Sequence, residues 1–336
     1  MILVTGGAGF IGSHTCVALA QAGIPHLILD NFGNSRRSVL ERLGRITGVQ
    51  PLFVEGDVRD ADLLARVFAQ HPIDGVIHFA ALKAVGESVR EPLRYYDNNV
   101  AGTVALLRAM QVAGVRTLVF SSSATVYGEP ATVPIREDFP LSATNPYGWT
   151  KLMMEQVLAD VDAAEPGQWR IARLRYFNPV GAHESGLIGE DPQGEPGNLL
   201  PYVAQVAAGQ RASLSVYGND YPTPDGTGVR DYIHVCDLAE GHVAALRYLN
   251  KHPGLLTVNL GMGRPVSVLE MVRAFEQASG RAVRYQLVAR RPGDVAQCWA
   301  DPALAQTLLG WSAQHGVDRM CQDAWRWQDG EARKLG

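Results

Sequence analysis

Several features that define common classes of protein are absent from this 336-residue sequence. The nine histidines show no H-E-x-x-H or similar ligand spacing, so we expect no metal site. The four cysteines are far apart and include no C-x-x-C pair, which argues against a disulfide framework and against a zinc site. These cysteines are Cys16, Cys236, Cys298 and Cys321.

Long apolar runs and an excess of basic charge are also missing. No stretch approaches the roughly eighteen uninterrupted apolar residues of a membrane span. The first apolar run leads into a glycine-rich turn instead of a signal-peptide cleavage site. The formal net charge of −4 offers no basic surface for nucleic acid or anionic lipid. We therefore expect a cytoplasmic globular protein without nucleic-acid or membrane partners.

The chain begins with the pattern of a dinucleotide-binding site. An apolar strand at 2–4 runs into Thr5-Gly6-Gly7-Ala8-Gly9-Phe10-Ile11-Gly12, which fits both G-x-G-x-x-G and T-G-x-x-G-x-x-G, and a helical pattern follows at 13–22. The glycines allow a tight turn and close approach of a pyrophosphate, and the helix N-terminus supplies free N–H groups. A second strand at 26–29 ends in Asp30, whose carboxylate would bind the ribose hydroxyls and repel a 2′-phosphate. The pattern favours NAD over NADP; the alternative is a glycine-rich turn followed by a solvated aspartate.

Strands and helices alternate along the chain. Strands are predicted at 52–54, 76–79, 118–120 and 171–174, with helices at 60–70, 92–113 and 145–161. This order predicts a doubly wound parallel α/β sheet of the Rossmann type that binds ligands at the carboxyl ends of its strands. We assign 1–177 to an NAD-binding domain and 178–336 to a smaller α/β substrate domain, and we expect parts of about 230–260 to pack back on the first. Further helices are predicted at 199–208, 237–248 and 268–280, and strands near 214, 233, 257 and 283.

Lysine is scarce, since only four of the 30 basic residues are lysine. Two of them, Lys83 and Lys151, fall at the predicted ligand edge, and Lys151 follows Tyr147 by one helical turn, on the same face. Its compact ammonium could bridge the nicotinamide ribose and, with the positive nicotinamide, lower the phenol pKa from about 10 toward neutrality, which would make Tyr147 a usable base. Ser123, at the end of the fifth strand, would hydrogen-bond the same sugar hydroxyl. The alternatives are an accidental Tyr–Lys pair and an exposed loop serine.

The sequence resembles the UDP-glucose 4-epimerase family of the extended short-chain dehydrogenase/reductase superfamily over essentially its full length. The matching runs are 28–31, 54–57, 78–80, 83–88, 95–99, 121–128, 175–182 and 226–235. The resemblance implies that Tyr147 removes the carbon-4 hydroxyl proton of a UDP-hexose while a hydride passes to NAD. The 4-keto sugar then turns about its diphosphate and takes the hydride back on the other face. It also implies a homodimer formed through the helices at 92–113 and 147–161.

The resemblance also assigns individual site residues. The catalytic residues are Tyr147, Lys151 and Ser123. Contacts with NAD are expected from Gly6, Gly9, Phe10, Ile11, Gly12, Asp30, Asn31, Asn34, Ser35, Asp57, Val58, Phe79, Ala80, Ala81, Lys83, Asn98, Ser121, Tyr147, Lys151, Tyr176 and Phe177. Contacts with the UDP-hexose are expected from Lys83, Ser123, Tyr147, Asn178, Asn198, Leu199, Tyr217, Arg230, Tyr232, Arg291, Asp294 and Cys298.

One pocket position departs from the family pattern. Epimerases restricted to unmodified hexoses carry tyrosine where this chain has Cys298, although the flanking Arg291, Asp294 and 299–301 still match. In the family, a small residue here goes with acceptance of sugars that bear an N-acetyl group at carbon 2. The resemblance therefore implies activity on UDP-N-acetylglucosamine and UDP-N-acetylgalactosamine as well. Alternatively, Cys298 is a small packed hydrophobic residue whose neighbours fill the gap.

Three other functions fit parts of the pattern. A nucleotide-sugar 4,6-dehydratase would carry an acid pair after the strand-five serine, where this chain has Ala124 and Thr125. A net oxidoreductase would release NADH instead of reusing the cofactor. A non-catalytic dinucleotide sensor would keep the glycine loop and lose Tyr147 or Lys151, but both are present. The physiological sugar pair stays open.

Overall fold

A parallel seven-stranded sheet forms the centre of the molecule. The computed structural model describes residues 1–291 and 294–335, with side chains as far as residue 330. The strands are β1 (Ile2–Thr5), β2 (His26–Asp30), β3 (Leu52–Glu55), β4 (Gly75–His78), β5 (Thr117–Ser123), β6 (Arg170–Tyr176), β7 (Asn178–Val180), β8 (Leu214–Tyr217), β9 (Val229–His234), β10 (Gly254–Leu260), β11 (Pro265–Ser267), β12 (Tyr285–Val288) and β13 (Gln297–Cys298). The helices are α1 (Phe10–Gln21), α2 (Ser38–Thr47), α3 (Ala61–Gln70), α4 (Val85–Arg90), α5 (Pro92–Tyr95), α6 (Gly102–Val112), α7 (Pro146–Ala164), α8 (Leu199–Ala207), α9 (Val235–Leu249), α10 (Val268–Ser279), α11 (Ala303–Leu309) and α12 (Val317–Leu335).

The strand order of the central sheet is β10-β6-β5-β4-β1-β2-β3, and all neighbours are parallel. Alternate residues feed two apolar layers, because helices cover both faces. Val4 and Ile28 pack under α1 and α9, whereas Leu3 and Leu27 pack under α3, α6 and α7. The order reverses between β1 and β4, so their carboxyl ends flank the crevice in which such sheets bind ligands. The predicted doubly wound parallel sheet is confirmed.

The chain returns to this sheet after leaving it. β10 pairs with β6 from Gly254 opposite Arg170 to Leu260 opposite Tyr176, and α9 packs against α1. The other strands form a smaller sheet centred on β9 and a two-stranded pair of β8 and β12. Helices α8, α10 and α12 pack together beside them. The domain division after residue 177 stays a prediction.

The helix predicted at 92–113 is interrupted in the structure. α5 leads into a π-helical turn, Tyr96–Ala101, and only then into α6, while α4 precedes them. Tyr95, fully buried, fixes this region because its hydroxyl accepts the Ala84 N–H at 3.0 Å. α7 begins where predicted, since the Asn145 side chain caps it by accepting the Gly148 N–H at 2.9 Å. No helix in the described part of the chain is long and apolar enough to cross a membrane.

Candidate active site

The turn between β1 and α1 requires glycine at two positions. Gly6 has φ +70°, and a Cβ there would lie 2.7 Å from Ala80 N. A Cβ on Gly12 would lie 2.2 Å from Gly6 O. No side chain caps the first N–H groups of α1, so these donors stay available for a phosphate beside the turn. The partly exposed residues at this helix start are Gly9, Phe10 and Ile11.

Asp30 is held at the end of β2 by hydrogen bonds. Its Oδ2 accepts the Ala8 N–H at 2.9 Å. Its Oδ1 accepts from Phe32 N at 2.8 Å and from Ser35 Oγ at 2.9 Å. Because Ala8 belongs to the glycine turn, these bonds fix the carboxylate next to that turn. In dinucleotide sites, an acid at this position binds the hydroxyls of the ribose next to the pyrophosphate.

Asp57 lies just after β3, beside the loop that follows β2. Asn31 Nδ2 donates to Asp57 Oδ2 at 3.0 Å, and Arg59 Nη2 donates to the same oxygen at 2.7 Å. The Arg59 hydrogen bond is the main reason that the pKa of Asp57 falls to about 2. Val58, between Asp57 and Arg59 in sequence, is buried in the apolar core. The predicted acidic contact and Asn31 are thus brought together.

A segment from the second half of the chain lies across the loop that follows β2. Arg36 Nε lies 2.6 Å from Asp191 Oδ2. Gln193 Nε2 donates to Ser35 O at 2.7 Å, and Gln193 N–H donates to Asn34 Oδ1 at 3.4 Å. The predicted NAD contacts Asn34 and Ser35 therefore connect the nucleotide side of the crevice with the 191–193 segment.

The residues after β4 border the glycine turn. Phe79 and Ala80 donate their N–H groups to the last β1 carbonyl at 2.9 and 3.1 Å. Lys83 forms an ion pair with Glu190, with Nζ and Oε1 2.9 Å apart, and Asn198 Nδ2 donates to the same oxygen at 2.9 Å. The predicted ligand contacts Lys83 and Asn198 therefore share an acid that sequence reasoning missed.

Asn99, inside the π-helical turn, is another residue that sequence reasoning missed. Its Oδ1 accepts the Leu82 N–H at 2.8 Å, and its Nδ2 donates to Thr150 Oγ1 at 3.0 Å. It thereby ties the loop after β4, which includes the partly exposed Ala81, to α7. Asn98, the predicted NAD contact, donates to Asn99 Oδ1 at 2.9 Å. A π-helical turn often marks a functional position, but nothing in the local sequence predicts one.

The predicted catalytic residues meet at the end of β5. Lys151 Nζ donates to Ser121 O at 2.6 Å and lies 6.0 Å from the centre of the Tyr147 ring. A side-chain hydrogen bond links Ser123 to the Tyr147 phenol. Ser123 Oγ already accepts from Thr125 N and Oγ1 at 3.2 and 3.0 Å. Its own proton is therefore the one available to the phenol oxygen.

Burial controls the pKa of both catalytic side chains. Desolvation lowers the pKa of Lys151, which is 3% exposed, to about 7, and the charge of Glu155 opposes this fall. Burial raises the pKa of Tyr147 to about 12, and the Ser123 hydrogen bond opposes this rise. The protein by itself does not lower the phenol pKa. The predicted lowering depends on a positive nicotinamide beside the ring and stays a prediction.

Tyr176 and Phe177, predicted to contact NAD, lie at the end of β6 with their side chains engaged inside the protein. The Tyr176 hydroxyl hydrogen-bonds His242 on α9. The His242 ring lies 4.8 Å from the Phe79 ring, so these groups support the crevice from α9. Phe177 is buried in an apolar cluster with Val126.

The residues predicted to bind the UDP group form a second cluster. Arg291 lies over the Tyr217 ring, with Cζ 4.6 Å from its centre, and its Nε is 2.9 Å from Asp294 Oδ2. Arg230 Nη2 is 4.0 Å from the other Asp294 oxygen. Cys298 on β13 is the register partner of Arg230 on β9. The structure therefore brings these five predicted residues together from separate segments.

Three further predicted substrate contacts come from β7, β9 and α8. Asn178 on β7 pairs with Tyr232 on β9, and Leu199 begins α8. The Tyr232 side chain is 3% exposed among the apolar residues of α8, α10 and α12, and burial raises its pKa to about 12. The Arg230 charge, two residues away on β9, opposes this rise, and the contact of Tyr232 with the substrate stays a prediction.

Comparison with known proteins identifies the family. A family model described as GDP-mannose 4,6 dehydratase matches residues 3–324. The UDP-glucose 4-epimerase of Bacillus subtilis (strain 168) is 60% identical over 327 residues, which cover 97% of this chain and 96% of that protein. The chain belongs to the UDP-glucose 4-epimerase family. The resemblance inferred from the motifs is confirmed.

Solved structures of UDP-glucose 4-epimerases share this fold closely. The enzyme from Stenotrophomonas maltophila, with bound NAD and formylated UDP-arabinopyranose, superimposes with a TM-score of 0.97 at 54% identity, covering 99% of both chains. A UDP-Glc/GlcNAc 4-epimerase from Campylobacter jejuni gives a TM-score of 0.86 at 36% identity, covering 98% of this chain and 99% of that one. The relatives at 55–60% identity bear the epimerase name.

The matching family model is named for a dehydratase, but the site lacks the acids expected of that reaction. After Ser123 the chain forms a short 3-10 helix, Ala124–Tyr127. Ala124 and Thr125 occupy the positions of the expected acid pair, and Thr125 is bonded to Ser123. The dehydratase alternative is not favoured.

Proposed function

We propose that this protein is an NAD-dependent epimerase that inverts carbon 4 of UDP-hexoses and interconverts UDP-glucose and UDP-galactose. The main support is the proximity of Tyr147, Lys151 and Ser123 at the end of β5. Membership of the UDP-glucose 4-epimerase family supports both the cofactor and the class of substrate.

The nucleotide side of the crevice fits NAD. The turn has no room for a Cβ at Gly6 or Gly12, so backbone N–H groups can approach a pyrophosphate directly. Asp30, fixed beside the turn, can accept ribose hydroxyls and would repel a 2′-phosphate. Lys151, at the end of β5, would bind the second ribose through its ammonium. When bound, NAD supplies the acceptor and later the donor of the carbon-4 hydride.

Tyr147 is the residue that moves the proton. Its phenolate oxygen takes the proton from the carbon-4 hydroxyl as that carbon becomes a ketone, and gives it back when the alcohol re-forms with the opposite configuration. The Lys151 charge and the Ser123 O–H stabilise the phenolate. Since the sugar regains both the proton and the hydride, there is no net oxidation.

The UDP group anchors the sugar during this cycle. Arg230 and Arg291 offer forked donors that match phosphate oxygens. Both lie near Asp294, which holds them in place and offsets part of their charge. With binding concentrated on the nucleotide, the hexose is free to turn about its diphosphate and present its other face.

We further propose that Cys298 lets the pocket accept N-acetylated hexoses. Cys298 is the register partner of Arg230 and, like Phe139 and Leu152, packs partly buried against the apolar cluster that includes Val126 and Phe177. Compared with a tyrosine, it leaves most of an aromatic ring's volume free beside the sugar. The Campylobacter jejuni relative carries both sugars in its name, so dual specificity is compatible with this fold.

We also propose a homodimer formed through α4, α5 and α7, which pack on one another. Leu93 on α5 is 82% exposed, and Val89, Trp149 and Met153 are also exposed large apolar residues on these helices. Several exposed large apolar side chains on helices that pack together are typical of a protein interface. A second copy presenting the same face would bury it symmetrically.

We place the protein in the cytoplasm. All four cysteines are free, which fits a reducing compartment.

The direct test is incubation of the purified protein with UDP-galactose and separation of the products by chromatography. We expect UDP-glucose to form until the two reach equilibrium, without added cofactor and without accumulation of NADH. Formation of NADH in proportion to product would support the net oxidoreductase instead. Absence of product from a preparation that contains bound NAD would contradict the proposal.

A further inference from the structure

Glu155 lies one helical turn beyond Lys151 and has no part in the chemistry described so far. Its side chain is 1% exposed. Arg175 on β6 binds it twice, from Nε to Oε1 at 2.9 Å and from Nη2 to Oε2 at 2.7 Å. Ser122 Oγ also donates to Oε1, at 2.5 Å. Both carboxylate oxygens therefore have hydrogen-bond donors inside the protein.

Strand β5 and helix α7 are joined at successive serines of the strand. The pairs are Ser121–Lys151, Ser122–Glu155 and Ser123–Tyr147. Since the helix partners are spaced by one turn each, they all lie on the face that meets β5. Glu155 therefore lies on the same face of α7 as Tyr147 and Lys151, and its contact with Ser122 fixes the position of α7 along β5.

Charged and titratable groups face the Lys151 ammonium and its acid from several elements. They are Tyr147 on α7, His78 on β4, Arg173, Arg175 and Tyr176 on β6, and Tyr127 and Glu137 beyond β5. His78 is buried between two threonines and its pKa falls to about 3, mainly through burial, so it is neutral. Arg175 is already paired with Glu155. Glu155 is the acid whose charge favours the ammonium form of Lys151.

We infer that Glu155 is a positioning residue for the proposed epimerisation: its carboxylate, fixed by Arg175 and Ser122, keeps Lys151 charged and holds the catalytic face of α7 against β5. The kinetic consequences rest on the proposed function. The charge of Lys151, however, can be measured without turnover.

The direction of the effect follows from electrostatics. Glu155 lies one helical turn from Lys151. A unit charge within about 10 Å at an effective dielectric constant of about 20 changes a pKa by about one unit or more. Burial already lowers the pKa of Lys151 to about 7. Without the negative charge of Glu155 this pKa falls further, so the ammonium is lost at a lower pH.

The scarcity of lysine makes the measurement direct. The NAD-loaded protein, labelled isotopically at the lysine ε-carbon, gives signals from only four lysines, and Lys151→Arg assigns one of them. Glu155→Gln keeps the shape and removes the charge, whereas Glu155→Asp keeps the charge and shortens the side chain. Asp160→Asn removes an exposed acid from the same helix and serves as the control.

We expect Glu155→Gln to lower the pKa of Lys151 by about one unit or more, and the other two variants to leave it near the wild-type value. The alkaline limb of kcat should move to lower pH with it, while KM changes less. Glu155→Asp should instead lower Tm, because its bonds to Arg175 are stretched.

A lower Tm for Glu155→Gln with an unchanged lysine titration would overturn the inference, as would an equal shift in Asp160→Asn. If Glu155→Gln does not fold, the double variant Glu155→Gln/Arg175→Gln leaves no lone buried charge and takes its place. Its expected shift has the same direction but is smaller, because the positive charge of Arg175 is lost as well. A wild-type protein without epimerase activity would overturn the proposed function. The lysine titration would still decide the role of Glu155.

Discussion

Replacing Tyr147 with phenylalanine removes one oxygen atom and keeps the ring. The lost hydroxyl bonds to Ser123, and a neutral hydrogen bond contributes about 1 kcal/mol of net stability. We therefore expect a folded variant with a slightly lower Tm. Binding of UDP-glucose should survive because the predicted UDP contacts, Arg230 and Arg291, lie in a separate cluster.

Turnover should fall steeply because nearby groups are poorly placed to replace the phenol. Lys151 donates to Ser121 O. His78 is enclosed by threonines at 2.6 and 2.9 Å, and the Tyr176 hydroxyl is bonded to His242. Loss of a general base costs about 10²–10⁴-fold in rate, or about 3–5 kcal/mol of transition-state stabilisation. With these substitutes engaged elsewhere, we expect the upper part of that range.

The assay compares wild type and Tyr147→Phe at equal NAD content. Initial rates come from chromatography of UDP-galactose and UDP-glucose, binding from titration calorimetry, and folding from circular dichroism. A variant that kept more than about a tenth of the wild-type rate, well short of a roughly 10²-fold loss, would show that Tyr147 is not the base. Loss of binding together with turnover would assign the phenol to substrate binding instead.

Three further predictions follow from the same structure. Extraction of the purified protein should release NAD and not NADP, and mainly NADP in the extract would contradict the role of Asp30. Gly12→Ala should yield protein without cofactor, because its Cβ would lie 2.2 Å from Gly6 O. Cys298→Tyr should remove turnover of the N-acetylated pair and spare the plain hexoses. Values of kcat/KM for both sugar pairs, measured on wild type and variant, test this prediction. Cys298 does not open the pocket to acetylated sugars if the wild type fails to turn them over or if the substitution changes neither value. Light scattering should report a dimer for the wild-type protein and a monomer for Leu93→Glu. The control variant Val49→Glu, at a 72% exposed apolar position outside the proposed interface, should stay a dimer. A wild-type monomer across micromolar concentrations would exclude the proposed interface.

Local patterns predict the alternating strands and helices of the sheet and the glycine turn that follows its first strand. The glycine turn is encoded within a dozen residues, because Gly6 and Gly12 contact the same turn. Tyr147 and Lys151 are related by helical periodicity alone. Each of these features depends on residues close in sequence, which is why reading the sequence could place them.

The parts that sequence reasoning missed depend on contacts between distant segments. In the sequence, Glu155 looks like an ordinary acid on a helix. Its partners Ser122 and Arg175 come from β5 and β6 and contact it only in the folded protein. Asn99 acts through Thr150, on another helix, and Lys83 through Glu190, in the second half of the chain. Tertiary packing, which no local pattern records, gives these side chains their partners.

In the proposed cycle, carbon 4 is oxidised and reduced again within one site. UDP-galactose that carries deuterium at carbon 4 reveals this when it is incubated with the NAD-containing protein in ordinary water. We predict UDP-glucose that retains the deuterium at carbon 4, because the hydride returns to the carbon from which it came. Loss of the deuterium to solvent would show that the carbon-4 hydrogen does not return as a hydride.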